Sequence, residues 1–214
     1  MAAPYLASPT GVVRPLGDFA AATVRITDYD PAEAPRSAGM VKVPTPASDE
    51  LTAELDGATQ WLAVPADEIL LAALTRALAR TLGDGVVPVD IASERGCLLD
   101  AVPLVCATAQ QAGATEVLAS VHRTLAVASE RDAAVSPEVY FNYIGELPAE
   151  NVPVQDTPPG LGHALEVRVY RTGGRVQVDW WYDTSRFEHY TIEELAEQFP
   201  LALVEMTSDA SPPN

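Results

Sequence analysis

Apolar residues recur at helical spacing in two well-defined runs near the middle of the chain. The clearer run opens at Pro65, is predicted to extend to Thr81 and ends before Gly83. Its apolar positions are Leu70, Leu74, Ala77, Leu78 and Leu82. Residues 116–128 have the same kind of periodicity, with Val117, Leu118, Val121 and Leu125 on one side. Both runs therefore predict amphipathic helices.

Capping residues predict two further helices. Ser48 is a favourable N-cap and Gly57 a stop signal, which together predict a short helix through Leu51 and Leu55. Residues 191–206 predict a final helix that is interrupted near Phe199-Pro200, because proline lacks the amide hydrogen that a helix interior needs.

Alternating apolar positions predict strands elsewhere. Leu165, Val167 and Val169 alternate up to Gly173-Gly174, and the alternation resumes over residues 176–182, which is typical of a β-hairpin. Short β-branched or aromatic runs predict strands at residues 86–91, 104–106 and 139–144, and residues 19–26 are a further candidate. This mixture of helices and strands favours an α/β sandwich over a bundle or a barrel.

The two ends differ from this periodic part. Residues 1–45 are rich in proline and predict an extended arm or linker, while residues 208–214 predict a flexible tail. The compact domain is therefore expected at residues 46–207.

Charge narrows the classes of partner. The chain has 13 Lys and Arg against 30 Asp and Glu, a net charge of −17. Such an acidic chain repels phosphate backbones and anionic lipids, so we expect neither nucleic-acid nor membrane binding. With no apolar stretch of membrane-spanning length and no signal-peptide pattern, we predict a cytoplasmic protein. Cys97 and Cys106 suffice for neither a disulfide framework nor a metal site.

Candidate chemistry concentrates in one strand. His122, His163 and His189 are far apart in sequence. His122 is expected at the surface or edge of its helix, and none of the three is interpreted as a site residue. Asn142 is different, because an amide inside an aromatic strand is costly if it is buried without partners. Asn142 and Tyr143 are expected on opposite faces of this strand. Asn142 either fixes a neighbouring loop or belongs to a site, and both interpretations stay open.

The sequence around these residues resembles a known family. Phe141-Asn142-Tyr143-Ile144-Gly145-Glu146 is similar to the FNYLGxx motif of condensation-type domains of nonribosomal peptide synthetases, above all the epimerization subgroup. Residues 41–84, 96–104, 117–125, 173–182 and 191–199 resemble further family segments in the same order. The resemblance covers roughly residues 40–207.

This resemblance implies a fold and a truncation. It implies a single C-terminal lobe of a two-layer sandwich like that of chloramphenicol acetyltransferase, with a mixed sheet and helices on one face. The family's general base lies in an HHxxxDG motif of the other lobe, and no two histidines are adjacent here. Asn142 and Tyr143 match motif residues that line the family's active-site tunnel. No cofactor is expected to bind directly, although a partner carrier protein would bring a phosphopantetheine thioester.

Two functions follow from the resemblance. The first is a noncatalytic interaction or scaffold module in nonribosomal peptide biosynthesis. The alternative is half of a split condensation or epimerization enzyme, completed by a separate histidine-bearing lobe. The expected partners are an adenylation domain, a carrier protein or that missing lobe, and self-association of the exposed face stays open. A decayed remnant or a cut chain is the third interpretation.

Overall fold

The computed structural model describes residues 22–30, 39–92, 98–128, 138–147 and 162–213, without the side chains of residues 98–101. These residues form six strands and four helices. In chain order they are β1 (Met40–Ser48), α1 (Asp49–Leu62), α2 (Ala66–Leu82), β2 (Gly85–Ala92), β3 (Leu98–Cys106), α3 (Ala114–Ala126), β4 (Val139–Leu147), β5 (Leu165–Thr172), β6 (Arg175–Asp183) and α4 (His189–Asp209).

The strands form one mixed sheet in the order β1-β6-β5-β4-β2-β3. Strand β4 runs parallel to both of its neighbours, β2 and β5, and the other pairs are antiparallel. The apolar sides of all four helices and alternate strand positions form a single core cluster. The helices therefore cover one face of an open sheet, and the predicted two-layer α/β lobe is confirmed.

Helix α1 is longer than the sequence predicts. Ser48 is its N-cap, as expected, and its hydroxyl accepts a hydrogen bond from the amide of Leu51 at 3.2 Å. The predicted stop at Gly57 is wrong, because the helix continues to Leu62. Leu55, Ala58 and Leu62 are buried at helical spacing on both sides of this glycine, so core packing extends the helix past it.

Helix α4 is continuous, so the predicted interruption at Phe199-Pro200 is also wrong. Pro200 has no amide hydrogen to donate to the carbonyl of Ala196 one turn earlier. The hydroxyl of Thr45 in β1 lies 3.5 Å from that carbonyl oxygen and supplies a weak substitute. Thr45 in turn accepts a 2.9 Å hydrogen bond from the indole of Trp180, which connects the helix to the sheet.

The segments near both ends make contacts with the lobe. Of the candidate strand at residues 19–26, residues 22–26 are described, and they contain only a single bridge from Thr23 to Val86. Strand β1 starts at Met40, inside the range assigned to the arm. Beyond α4, the amide of Ser211 donates to Thr115 at 2.9 Å. The division into arm, lobe and tail stays a prediction.

Two sequence expectations concern the membrane and the thiols. Among the described helices, none combines the length and the hydropathy needed to cross a bilayer.

Cys106 is buried, and burial raises the pKa of its thiol to about 12, so the thiolate is absent at neutral pH. Cys97 lies outside the described residues.

A buried arginine joins three parts of the helical layer. The side chain of Arg76 in α2 is fully buried and donates to the carbonyls of Ala107 and, at 2.6 Å, Ala112, both in the connection before α3. It also pairs with Glu205 of α4 at 3.1 Å. Burial lowers the pKa of Arg76, but these partners offset the cost of the charge.

We expect Arg76→Ala to lower the free energy of unfolding by about 3–5 kcal/mol, because it leaves two buried carbonyls without their donor and weakens the hold on Glu205. Arg80→Ala is the matched control, since Arg80 pairs with the same carboxylate at 2.6 Å but is partly exposed. Its removal is expected to cost about 1 kcal/mol or less. Urea denaturation measures both, and equal losses would contradict the assigned role.

Candidate functional site

The two faces of the sheet differ in chemistry. Residues of β4, β5 and β6 that face the helices belong to the core cluster, for example Phe141, Val167 and Trp180. Because side chains alternate along a strand, the residues between them lie on the opposite face. Most of those residues are polar or charged, and several are as buried as the core itself. We call this opposite side the polar face.

Five side chains of the polar face lie side by side across five strands. Lys42 of β1 is the register partner of Trp181 in β6, and Trp181 is the partner of Glu166 in β5. Glu166 is the partner of Tyr140 in β4, which in turn is the partner of Asp90 in β2. These five residues are named the polar row. Adjacent members lie one strand apart, within reach of each other's side chains.

A buried histidine closes one end of the polar row. The Nε2 atom of His163 lies 2.8 Å from the Oδ2 atom of Asp90, and both side chains are fully buried. The ring of Tyr140 stacks on the imidazole with centroids 5.2 Å apart. The sequence indicates nothing unusual at His163, since Asp90 lies 73 residues away and the two come together only through the pairing of β2 with β4 and of β4 with β5.

A second line of polar residues runs beside the first. Asn142 of β4 is the register partner of Arg168 in β5, and Arg168 is the partner of Asp179 in β6. Asp179 also pairs with Lys42 at 3.7 Å and accepts a 3.0 Å hydrogen bond from the hydroxyl of Tyr170. The positive charges of the polar face therefore alternate with its carboxylates.

Trp181 lies between the two cations of the polar face. The ammonium of Lys42 and the guanidinium of Arg168 are each 5.6 Å from the centre of its ring. Both distances fall in the range of cation–π attraction. Burial lowers the pKa of Arg168, whereas the neighbouring carboxylates of Glu166 and Asp179 oppose that shift.

Burial moves the pKa of Glu166 on the polar face into the neutral range. Glu166 is 1% exposed, and burial raises the pKa of its carboxyl from 4.5 to about 7, although Arg168 favours the ionised form. Its Oε2 atom has no hydrogen-bond partner among the described residues. A carboxyl with this pKa can give or take a proton near neutral pH. Sequence reasoning missed this residue.

The two site residues predicted from the sequence are not brought together. Asn142 lies on the polar face and is half-buried, next to Arg168. Tyr143 packs against the helix-facing core and hydrogen-bonds Arg171. Arg171 pairs with Asp56 of α1, so Tyr143 takes part in attaching that helix to the sheet. The assignment of both residues to a tunnel stays a prediction, and only Asn142 lies beside the buried polar side chains.

Comparison with known proteins gives an extended sequence match to a polyketide synthase component of mycobacteria. The chain is 34% identical to a component of the phenolphthiocerol/phthiocerol polyketide synthase of Mycobacterium tuberculosis over 226 aligned positions. The match covers 84% of this chain but 15% of that protein, so the chain spans about a seventh of its relative. No family model matches the sequence.

Solved structures share the fold at low identity. The epimerization domain from the third module of tyrocidine synthetase B has a TM-score of 0.59 and 14% identity, covering 90% of this chain and 53% of that one. The condensation domain of the Monacolin K polyketide synthase has a TM-score of 0.57 and 13% identity, covering 96% and 56%. The predicted resemblance to condensation and epimerization domains is thereby confirmed in fold, and the chain corresponds to about half of such a domain.

The raised pKa of Glu166 has a consequence for stability. Because folding raises this pKa, ionising the carboxyl costs stability: the cost is absent below about pH 4.5 and complete above about pH 7. We expect Glu166→Gln to be more stable than the original chain by about 3 kcal/mol at pH 8, with a smaller difference at pH 5.

Urea denaturation across this pH range measures the effect. Glu146→Gln is the control, since Glu146 is an exposed carboxylate at the far end of β4. Parallel stability profiles for the Glu166 variant and the original chain would contradict a raised pKa at Glu166.

Proposed function

We propose that this chain, which has the fold of one condensation-type lobe, acts as a noncatalytic interaction module for the proteins of peptide and polyketide assembly lines. Its role is to bind other parts of the machinery. It does not itself catalyse condensation or epimerization. The likeness to both a polyketide synthase component and a peptide synthetase domain supports assembly lines of either kind.

The observation that carries the proposal is that each of the three histidines of the chain has a partner within the fold. His163 pairs with Asp90 inside the polar face, and its side chain has no exposed surface. His122 of α3 lies 2.8 Å from Glu68 of α2. A general base must approach the proton it removes within about 2.6–3.2 Å, which a fully buried imidazole cannot do without rearrangement.

His189 also has partners at the start of α4, although its side chain is 58% exposed. Its Nδ1 atom lies 2.8 Å from the hydroxyl of Tyr182, and its Nε2 atom lies 3.1 Å from Glu193. It therefore belongs to the helical layer and lies away from the polar face. Since the histidine pair of the family motif is missing as well, the chain supports binding better than initiation of chemistry.

The partners proposed for the module are an adenylation domain or a carrier protein bearing its phosphopantetheine thioester. Carrier proteins are usually acidic, and the net charge of −17 opposes their direct docking. An adenylation domain is therefore the better candidate. The same charge opposes self-association.

A second candidate function rests on the polar face. Asn142 lies next to Arg168, and Glu166 has a pKa of about 7 in the adjoining row. An amide, a guanidinium and a carboxyl of this kind can position a substrate or stabilise charge. If a separate histidine-bearing lobe covers this face, the two chains together would form a split condensation or epimerization enzyme.

Size-exclusion chromatography with light scattering tests the first function. We expect a stable 1:1 complex when the chain is mixed with an adenylation domain of its assembly line. Mixing with a histidine-bearing lobe serves as the comparison. A complex formed only with that lobe, together with new turnover of a carrier-bound thioester, would contradict the noncatalytic module and support the split enzyme.

The variant Asn142→Ala distinguishes the interaction module from the split enzyme. An interaction module is expected to keep its affinity for the adenylation domain within about twofold, because Asn142 lies on the polar face. A split enzyme should lose about 10- to 100-fold in turnover when the amide that positions substrate is removed. Gln177→Ala in β6 is the matched control, as Gln177 is a half-buried amide on the same face.

A further inference from the structure

We infer that the outer surface of α1 and α4 binds a cationic amphipathic helix of another protein. This inference rests on the proposed role as an interaction module and names one surface and the chemistry of its partner. The surface is separate from the polar face, because α1 and α4 pack together on the opposite side of the sheet.

Helix α1 contributes an exposed stripe of side chains that is acidic at its start and apolar at its end. Glu50, Glu54, Gly57 and Trp61 are all exposed and follow one another at spacings of four, three and four residues. Such spacing places them on one side of the helix. Trp61 is 73% exposed, an unusual position for an indole in the part of the chain that the structure describes.

Helix α4 contributes a second stripe with the same order. Glu193, Glu197, Leu201 and Val204 lie at spacings of four, four and three residues along one side of the helix. Leu201 is 58% exposed and Val204 is 39% exposed. Each helix therefore begins with carboxylates and continues into exposed apolar side chains.

A groove runs along α1 beside the last turns of α4. It has a volume of about 310 Å³ and is lined by Ala53, Glu54, Gly57, Ala58, Trp61 and Thr207. Thr207 donates a 3.2 Å hydrogen bond to Glu54, which joins the two helices at the groove. Small side chains on its floor allow a partner backbone to approach closely, while Trp61 offers a wall for an apolar anchor.

The charges decide which partner suits this surface. Helix α1 has four carboxylates and α4 has five, and neither has a lysine or arginine. Arginines of this chain pair with Asp49, Asp56 and Glu205. Within the described part of the chain, the glutamates of the two stripes have no such arginine partner, although Glu193 lies 3.1 Å from His189. Their charge favours a binding partner with Lys or Arg beside its apolar residues.

Other occupants fit less well. A second copy of this chain brings another −17 charge, and an anionic membrane surface repels the carboxylates in the same way. A cationic helix carries both kinds of side chain that this surface calls for: basic residues suit the glutamates, and apolar residues suit Trp61 and Leu201. Helix-in-groove binding of this type uses anchors at helical spacing.

Fluorescence and calorimetric titration with a synthetic helical peptide of leucine and lysine test the inference. We expect saturable 1:1 binding to the full chain that weakens with salt, and no binding of the peptide with glutamate in place of lysine. Trp61→Ala and the double variant Glu50→Gln with Glu54→Gln are each expected to weaken binding at least tenfold. Val127→Ala and Glu146→Gln are the matched controls, since both residues are exposed elsewhere.

The inference is overturned if the lysine peptide fails to bind, or if the controls weaken binding as much as the two test variants. Conversion of a dimer to a monomer by Trp61→Ala would identify a second copy as the occupant and overturn it as well. If the peptide does not bind but the complex with the adenylation domain still forms, this inference is wrong and the proposed function stands. If the peptide binds but the chain forms no complex with an adenylation domain or a carrier protein, the proposed function is wrong and this inference stands.

Discussion

Burial of charge on the polar face is the constraint on which this lobe depends. Removing a carboxylate or a guanidinium from water costs several kcal/mol unless an opposite charge or hydrogen bonds replace the water. The fold meets this cost by strand pairing, which places Asp179 opposite Arg168 and brings His163 to Asp90, while Glu166 lies two residues from Arg168 on the same strand. A slip of one residue in β5 would move Glu166 and Arg168 into the helix-facing core. Strand pairing and helix packing are therefore fixed together.

This constraint assigns different roles to the two sides of the lobe. Inside the polar face, His163 and Asp90 are hydrogen-bonded to each other, and their complete burial makes them part of the architecture. The helical layer has its own buried charge in Arg76, yet its outer surface leaves Trp61 and Leu201 exposed. A lobe whose polar-face histidine is fully buried, and whose helices expose apolar residues, is better suited to binding proteins than to removing protons.

Much of the fold could be predicted from the sequence because its signals are local. The period of α2 and the alternation around Gly173-Gly174 each depend on a few neighbouring residues, and the structure has both. The errors at Gly57 and Pro200 share a cause, since tertiary contacts override a local helix breaker.

The candidate site was harder to predict. Alternation in β5 places Glu166 and Arg168 on the side opposite to its valines, but it does not reveal which residues of other strands lie beside them. The polar row depends on parallel pairing of β2 with β4 and of β4 with β5, across gaps of about fifty and twenty-five residues. The motif at residues 141–146 led to Asn142 because it resembles a family, whereas no local signal led to Glu166 or His163.

Hydrogen–deuterium exchange of the chain, alone and in complex with an adenylation domain, tests the central claim most directly. The account predicts that complex formation slows exchange in α1 and α4, with β4 and β5 unchanged, because the helical layer is the binding surface. Slower exchange confined to β4 and β5 would contradict it, since the partner would then cover the polar face as the second half of a catalytic site.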